Sequence, residues 1–415
     1  MKESFNLSVC QEQALKQLTQ SSENIFLTGF AGSGKSFLIR HFLKDKDRKT
    51  FPVVASTGVA AVLIGGRTFH SFFGLGIMEG GVAQTIKRAL EDTRVIKRLK
   101  KVEGFILDEV SMVSGPTLMA AEAICREARK KDLPWGGARI ITVGDFAQLP
   151  PVNPYASHRE WAFLEDTWEK SAFVPLILKT IMRTVDHEYS HVLNAIREGI
   201  INKEVRDYLD SKVKPLSGES GMTHLFPHRQ TAEEFNLKQL LAIKKDLKEI
   251  PTTYLGNARA VEMLKKQAPI PENLQLKESA LVMLRVNDPQ LAYVNGSLGH
   301  ITKISDETLT IKLKNKREVE IEKTSFSLLN ADGQEVAAAR NFPVTLAYAT
   351  TIHKAQGATL DAMVCDLRKL WEPGQAYVAL SRLKSGDGLT LMGWDEQSIR
   401  VDPQVVAFHR SLSNY

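Results

Sequence analysis

One stretch constrains this chain more than any other. Residues Gly29 to Ser36 read GFAGSGKS, a full match to G-x-x-x-x-G-K-[ST]. The preceding NIFLT (Asn24 to Thr28) reads as a buried strand, and an apolar, helix-like run follows Ser36. A strand, a glycine loop and a helix make an anion cradle. Glycines let backbone N–H groups turn inward, and the helix N-terminus adds its dipole. The residues expected to hold a nucleoside triphosphate are Gly29, Gly32, Ser33, Gly34, Lys35 and Ser36. Lys35 would sit on the outer phosphates, and the Ser36 hydroxyl would ligate Mg²⁺.

The strand-loop-helix context recurs. FPVVAST, GFILDEV and ARIITVGD are further Val- and Ile-rich strands, and SGPTLMAAEAICREARKKD (Ser114 to Asp132) has helical spacing between two of them. This alternation predicts an α/β fold with a parallel sheet. GFILDEV ends in Asp108 and Glu109, at the strand end where ligands bind in open α/β sheets. Asp108 is a candidate to hold Mg²⁺ and Glu109 to orient and activate water. VGDFAQLPP places Asp145 and Gln148 after the next strand, with Gln148 near the γ-phosphate.

A chain of 415 residues exceeds one ordinary core. THLFPHR (Thr223 to Arg229) reads as a strand followed by a helix with Thr231 as N-cap. From about Glu278 to Asn341 the texture changes to short β-like runs broken by Asn-Gly and Asp-Gly turns, which predicts a small inserted antiparallel barrel or sheet, with a β-barrel insert as the expected form. The expected division is residues 1–173, then 174–277 with 342–415, and an insert at 278–341.

Composition narrows the setting. Net charge is +6 with pI near 9.0, which permits a polyanionic partner without requiring one. No apolar run is long enough to span a bilayer, and MKESFNLSVC lacks a signal core, so a cytoplasmic location and no membrane partner are expected. Cys10, Cys125 and Cys365 show no metal or disulfide spacing.

Taken in order, these segments resemble superfamily 1 helicases, and within them the Pif family of DNA helicases. LSVCQEQAL, with Gln11, looks like the family's adenine-reading segment. ASTGVAAVLIGGRTFHSFFG looks like the first strand-contacting segment, with Thr57, Gly58 and His70 in matching places. LKTIMRT supplies Arg183 to the triphosphate by the same resemblance. ATTIHKAQGATLD carries Thr351, His353 and Lys354 for single-stranded DNA, with Gln356 and Gly357 near the nucleotide. GQAYVALSR carries Arg382. AICREARKKDLPWGGARIITVGDFAQLPP is similar to the family's signature region, while Thr184 stands where many relatives carry Gln.

The resemblance implies two RecA-like domains, with Arg183 and Arg382 reaching the phosphates from the second. It implies a wedge at about residues 63–85 and an insert along the DNA. ATP and Mg²⁺ would be the cofactors. Single-stranded DNA and forks would be the partners of a monomer moving 5′ to 3′, with G-quadruplexes and RNA–DNA hybrids as further substrates. RecD-like or RNA-directed helicases remain alternatives, as does a P-loop switch that never translocates. Phe69, Phe72 and Phe73 suit a core, although one of them could stack on a base. The cationic run from Arg94 to Lys101 reads as a solvated helix face.

Overall fold

The computed structural model describes every residue except 1–6, 58–59, 62–66, 77, 79, 152–158, 185, 216–221, 287, 289–291, 294, 330–333 and 413–415. Contacts divide the chain into two units. One holds residues 1–183 and the stretch from 402, and the other holds 184–328 and 335–401. Among the described residues no helix is long and apolar enough to cross a membrane.

The first unit is built on a six-stranded sheet of β1 (Ile25–Gly29), β2 (Val53–Ala55), β3 (Arg67–Thr68), β4 (Gly104–Asp108), β5 (Arg139–Val143) and β6 (Val174–Leu178). The spatial order is β3-β2-β4-β5-β1-β6, with every neighbouring pair parallel. All five residues of β1 are buried, as a central parallel strand requires. Ile25, Leu27, Ile106, Ile141 and Val143 pack in one core with Leu38, Ile39 and Phe42 of the helix that follows the glycine loop. The helix Gly115–Arg129 starts on Ser114, whose side chain accepts from the Thr117 N–H, and stops at Lys130 in the left-handed region.

Two expectations about the first unit change. The boundary at residue 174 falls inside this sheet, because β6 pairs with β1 from Ile25↔Val174 to Gly29↔Leu178. The C-terminal stretch also returns here. On the helix Pro403–Leu412, Phe408 stacks on Phe163 at 4.3 Å and also meets Phe26, Phe146 and Trp168. Asp402 accepts from the Trp161 indole at 3.0 Å. Phe69, Phe72 and Phe73 are buried, packed with one another and Phe105, so none is a base platform. Of the expected wedge, residues 63–66, 77 and 79 lie outside the described residues; the rest includes β3, the short helix Phe69–Phe73 with its buried phenylalanines, and the start of the helix Gly81–Glu91. The helix Thr93–Lys101 buries Val95 and Leu99, and its cationic run is not wholly a solvated face: Arg98 Nε donates to the Phe72 carbonyl at 2.9 Å and its guanidinium lies 5.2 Å from the Phe72 ring centroid.

The second unit has a four-stranded sheet in the order Ala349–Thr351, Thr223–Phe226, Met363–Leu367, Leu389–Trp394, again with all neighbours parallel. The helix after Phe226 begins at Arg229, with His228 in the N-cap position and making no side-chain capping bond, so Thr231 lies inside it rather than at its cap. Side-chain pairs Arg229–Glu233 and Gln230–Glu234 brace that first turn.

The β-rich region is wider than residues 278–341. Its five-stranded antiparallel sheet runs Glu318–Glu322, Thr308–Leu313, Leu298–Ile304, Leu281–Leu284, Val344–Leu346. Two smaller sheets draw strands from as far back as Lys248–Pro251 and Thr253–Gly256. Ile301, Ile311, Ile321 and Val344 share the core of this region with Leu240, Leu274 and Leu276 from outside the predicted insert.

Candidate functional site

Parallel strands end on one side of their sheet, and that geometry gathers the residues expected to hold the triphosphate. β1 ends at Gly29, β4 at Asp108 and β5 at Val143, just before Asp145 and Gln148. The loop after β1 is approached closely from two directions. Gly32 and Gly34 have φ of +79° and +84°, where a side chain is strained. A Cβ on Gly32 would lie 2.6 Å from the Cβ of Arg183, and one on Gly34 would lie 2.4 Å from Nε2 of Gln11.

Arg183 therefore belongs to the first unit and lies against the loop. This corrects the expectation that it reaches in from the second. The cause is β6: paired in register with β1, it delivers the chain beside the loop, where the Met182 N–H donates to the Gly32 carbonyl at 2.9 Å. Gln11 is buried. Its Nε2 donates to the Ser33 carbonyl at 3.0 Å, and its Oε1 accepts from the Ser8 N–H at 3.0 Å. These bonds use one donor and one lone pair of a group that has two of each, so the amide stays competent for an adenine edge.

Lys35 Nζ donates to the Gly29 and Phe30 carbonyls at 2.9 and 3.1 Å, which fixes the ammonium over the cradle. The Ser33 hydroxyl is wholly buried and makes no hydrogen bond. At the end of β4, Glu109 has φ +55°, a conformation that costs a non-glycine residue on the order of 1–3 kcal/mol. It ends the strand's alternation, so the two acids need not face opposite ways. The Glu109 N–H donates to Asp108 Oδ1 at 3.0 Å. Burial, and next the Glu109 carboxylate, push the Asp108 carboxyl up to about 7, while Lys35 pulls it down.

This donor set suits Mg²⁺. The ion prefers hard oxygens and needs only one or two carboxylates beside a hydroxyl and phosphate oxygens. The crowding of Asp108 and Glu109 is a local excess of negative charge that a dication offsets.

The Asp108 shift carries a test. A buried acid with a raised pKa costs stability when ionised, so the cost is absent well below pH 4 and grows as pH rises toward 7. Between pH 5 and 8 the parent's thermal midpoint should therefore fall relative to Asp108→Asn by about 5 °C. Scanning calorimetry of both proteins reads the difference, and parallel curves would refute it.

Gln148 is buried, and its N–H donates to the Asp145 carbonyl at 3.0 Å. Asp145 accepts from the Ala147 N–H at 3.2 Å and lies 3.7 Å from Nε2 of His409 on the helix Pro403–Leu412. Sequence reasoning missed His409, because nothing local marks a helix from the far end of the chain as a neighbour of β5.

Of the residues expected to contact a DNA strand in the first unit, Thr57 closes a turn after β2, its Oγ1 accepting from the Ala60 N–H at 3.3 Å. His70 is half-buried, and burial lowers its pKa, so it meets a neutral-pH partner uncharged. Gly58 lies outside the described residues.

The second unit holds the remaining set. Thr351 is buried at the end of its strand, and its Oγ1 accepts from the Lys354 N–H at 3.1 Å. His353 and Lys354 are exposed on the turn that follows, which Gly357 closes at φ +77°. The Gln356 N–H donates to the His353 carbonyl at 3.2 Å. Arg382 is 2% exposed. Its Nε donates to the Val378 carbonyl and its Nη2 to the Ser381 hydroxyl, both at 2.8 Å. The first unit thus collects Gln11, the glycine loop, Asp108, Glu109, Gln148 and Arg183, and the second collects Thr351, His353, Lys354, Gln356, Gly357 and Arg382. Sequence reasoning also passed over Arg285, although a cation directly after the apolar run LVML is a readable signal.

A family model described as PIF1-like helicase matches residues 6–207. The ATP-dependent DNA helicase Pif1 of Bdellovibrio bacteriovorus is 51% identical over 408 residues, covering 98% of this chain and 92% of that protein. The crystal structure of Bacteroides sp Pif1 in complex with ADP-AlF4 matches with a TM-score of 0.86 at 27% identity, over 99% of this chain and 97% of that one. Bacteroides Pif1 bound to ssDNA matches with a TM-score of 0.67 at 28% identity, over 99% and 97%. The two parallel-sheet units are the two RecA-like domains of this fold. With one relative at half identity along nearly its whole length, and a glycine loop, paired acids and Gln148 on one sheet edge, this chain belongs to the PIF1-like helicase family.

Proposed function

We propose that this chain is an ATP-dependent DNA helicase. The observation that carries the reading is the single sheet edge where Lys35, Asp108, Glu109 and Gln148 meet, with Arg183 against Gly32. That edge offers each part that phosphoryl transfer to water needs: a phosphate cradle, metal-binding oxygens, a carboxylate to orient water and a cation for developing charge. Relatives that bind ADP-AlF4 and ssDNA support the same reading.

In this account Ser36 and Asp108 hold Mg²⁺, which when bound offsets charge on the phosphates. Glu109 accepts the proton of the attacking water. Gln148 senses whether the outer phosphate is still attached. Arg382 comes to the same phosphates when the two domains close on ATP. Thr57, His70, Thr351, His353 and Lys354 hold one DNA strand by contacts that ignore base identity, as a motor requires. Closure and reopening then become a step along the strand. Movement is 5′ to 3′ by family resemblance. Forked DNA is the principal substrate, and G-quadruplexes and RNA–DNA hybrids are further ones. The working unit is a monomer.

The test is ATP hydrolysis with and without oligothymidine, followed by unwinding of forks bearing only a 5′ or only a 3′ tail. The expected result is stimulation of about tenfold or more and unwinding of the 5′-tailed fork alone. Hydrolysis indifferent to DNA would return the reading to a nucleotide switch. A preference for the 3′ tail would reverse the polarity.

A further inference from the structure

The second parallel sheet brings more chemistry to one edge than the helicase reading has used. Its neighbouring strands Ala349–Thr351, Thr223–Phe226 and Met363–Leu367 end on the same side. The segments leaving them carry Lys354, then His228 and Arg229, then Trp371. Three segments distant in sequence therefore converge, for the reason that gathers the triphosphate residues in the first unit.

Two features of this edge are unexplained by folding. Trp371 is 43% exposed, and its ring stacks on the His228 ring at 4.7 Å and 15°. An exposed indole backed by a second ring is a rigid, flat, apolar surface facing water. The other feature is charge. Arg229 and Arg285 both act on Lys354, whose pKa is lowered first by burial and next by Arg229. Glu233 is the acid that acts on Lys354, and it is already paired with Arg229; Glu372 acts on the adjacent His353. Arg285 is only 8% exposed, its Nε makes no hydrogen bond, and among the described residues it forms no ion pair. A buried guanidinium without an anion is costly, and it suits a site that an anion enters.

We propose that the Trp371–His228 pair is a base-stacking platform for single-stranded DNA, with Arg229, Lys354 and Arg285 taking the phosphates on either side. The inference rests on the helicase reading and deepens it. A flat ring beside a cationic row matches the alternation of base and phosphate along one strand. In a duplex each base is paired at its edge and covered on both faces by the bases stacked above and below it, which leaves no π-face for the indole, so the platform selects a strand that is already unpaired. Stacking tolerates any base.

The experiment measures oligothymidine affinity by anisotropy across a salt series, together with tryptophan emission. Trp371→Ala should raise Kd about 5- to 100-fold, the worth of one base–aromatic stack, and leave the salt slope unchanged. Trp371→Phe should stay within about threefold of the parent and lose most of the DNA-induced quenching. Arg285→Met should fold at least as stably as the parent, because it removes a buried unpaired charge. It should flatten the salt slope by about 0.7, the share of one phosphate contact. Unchanged affinity in Trp371→Ala overturns the platform. So do equal losses in the Ala and Phe variants with quenching intact in Phe. An unchanged slope in Arg285→Met removes Arg285 from the proposal and thereby overturns it as stated. If the parent itself fails to bind oligothymidine, the helicase reading falls first and the platform with it.

Discussion

Lys35→Ala protein will hydrolyse ATP at less than about one-thousandth of the parent rate while binding oligothymidine almost as well. The ammonium is the cation fixed over the cradle, held by the Gly29 and Phe30 carbonyls. Its removal takes away charge that stabilises the transferring phosphoryl group more than the ground state, so turnover suffers more than nucleotide affinity. The fold should survive. Lys35 is the first residue of the helix Lys35–Phe42, where alanine is a strong helix former, and the apolar contacts of Leu38, Ile39 and Phe42 are untouched. DNA affinity should persist because none of the proposed gripping residues lies in the glycine loop, and Thr351, His353 and Lys354 belong to the other unit. Steady-state hydrolysis and anisotropy measured on one preparation decide the matter. A variant retaining more than about a tenth of parent turnover would mean that the loop is not the catalytic phosphate cradle.

The second large effect concerns Arg382. Replacing it with alanine should cut DNA-stimulated turnover by about 10³- to 10⁵-fold, the range found for an arginine that completes a phosphoryl-transfer site. Binding of a fluorescent nucleotide should remain measurable, because the cradle residues lie in the first unit. Arg382→Lys should rescue little. A lysine keeps the charge but loses the planar fork, whose geometry is fixed here by donation to Val378 and Ser381. A merely structural arginine would behave differently: its loss would lower the thermal midpoint and leave the turnover of the folded fraction intact. Near-parent turnover in folded Arg382→Ala protein would remove the residue from the reaction.

Local features were the ones the sequence expressed well. The glycine loop, the acids ending β4 and the helix capped by Ser114 each depend on residues within a few positions of one another, and each stands where expected. What stayed hidden depends on partners far apart along the chain. Val174–Leu178 has the composition of a strand, but nothing in it says that its neighbour is β1, and that pairing is what carries Arg183 to the loop. The antiparallel region outgrew its predicted limits for the same reason. Leu240, Leu274 and Leu276 carry no sign that they share a core with Ile311. His228 and Trp371 are each unremarkable in sequence, and only the order of three strands makes them one surface.

The return of the helix Pro403–Leu412 to the first unit has a consequence for biosynthesis. Phe26, Phe146, Phe163 and Trp168 are translated long before Phe408, the ring they surround. At ribosomal speeds the gap lasts about 10–50 s. Throughout that interval an aromatic nest beside Asp145 and Gln148 stands open on the nascent chain, a natural landing place for a chaperone. The catalytic edge is finished only when the helix carrying His409 has emerged.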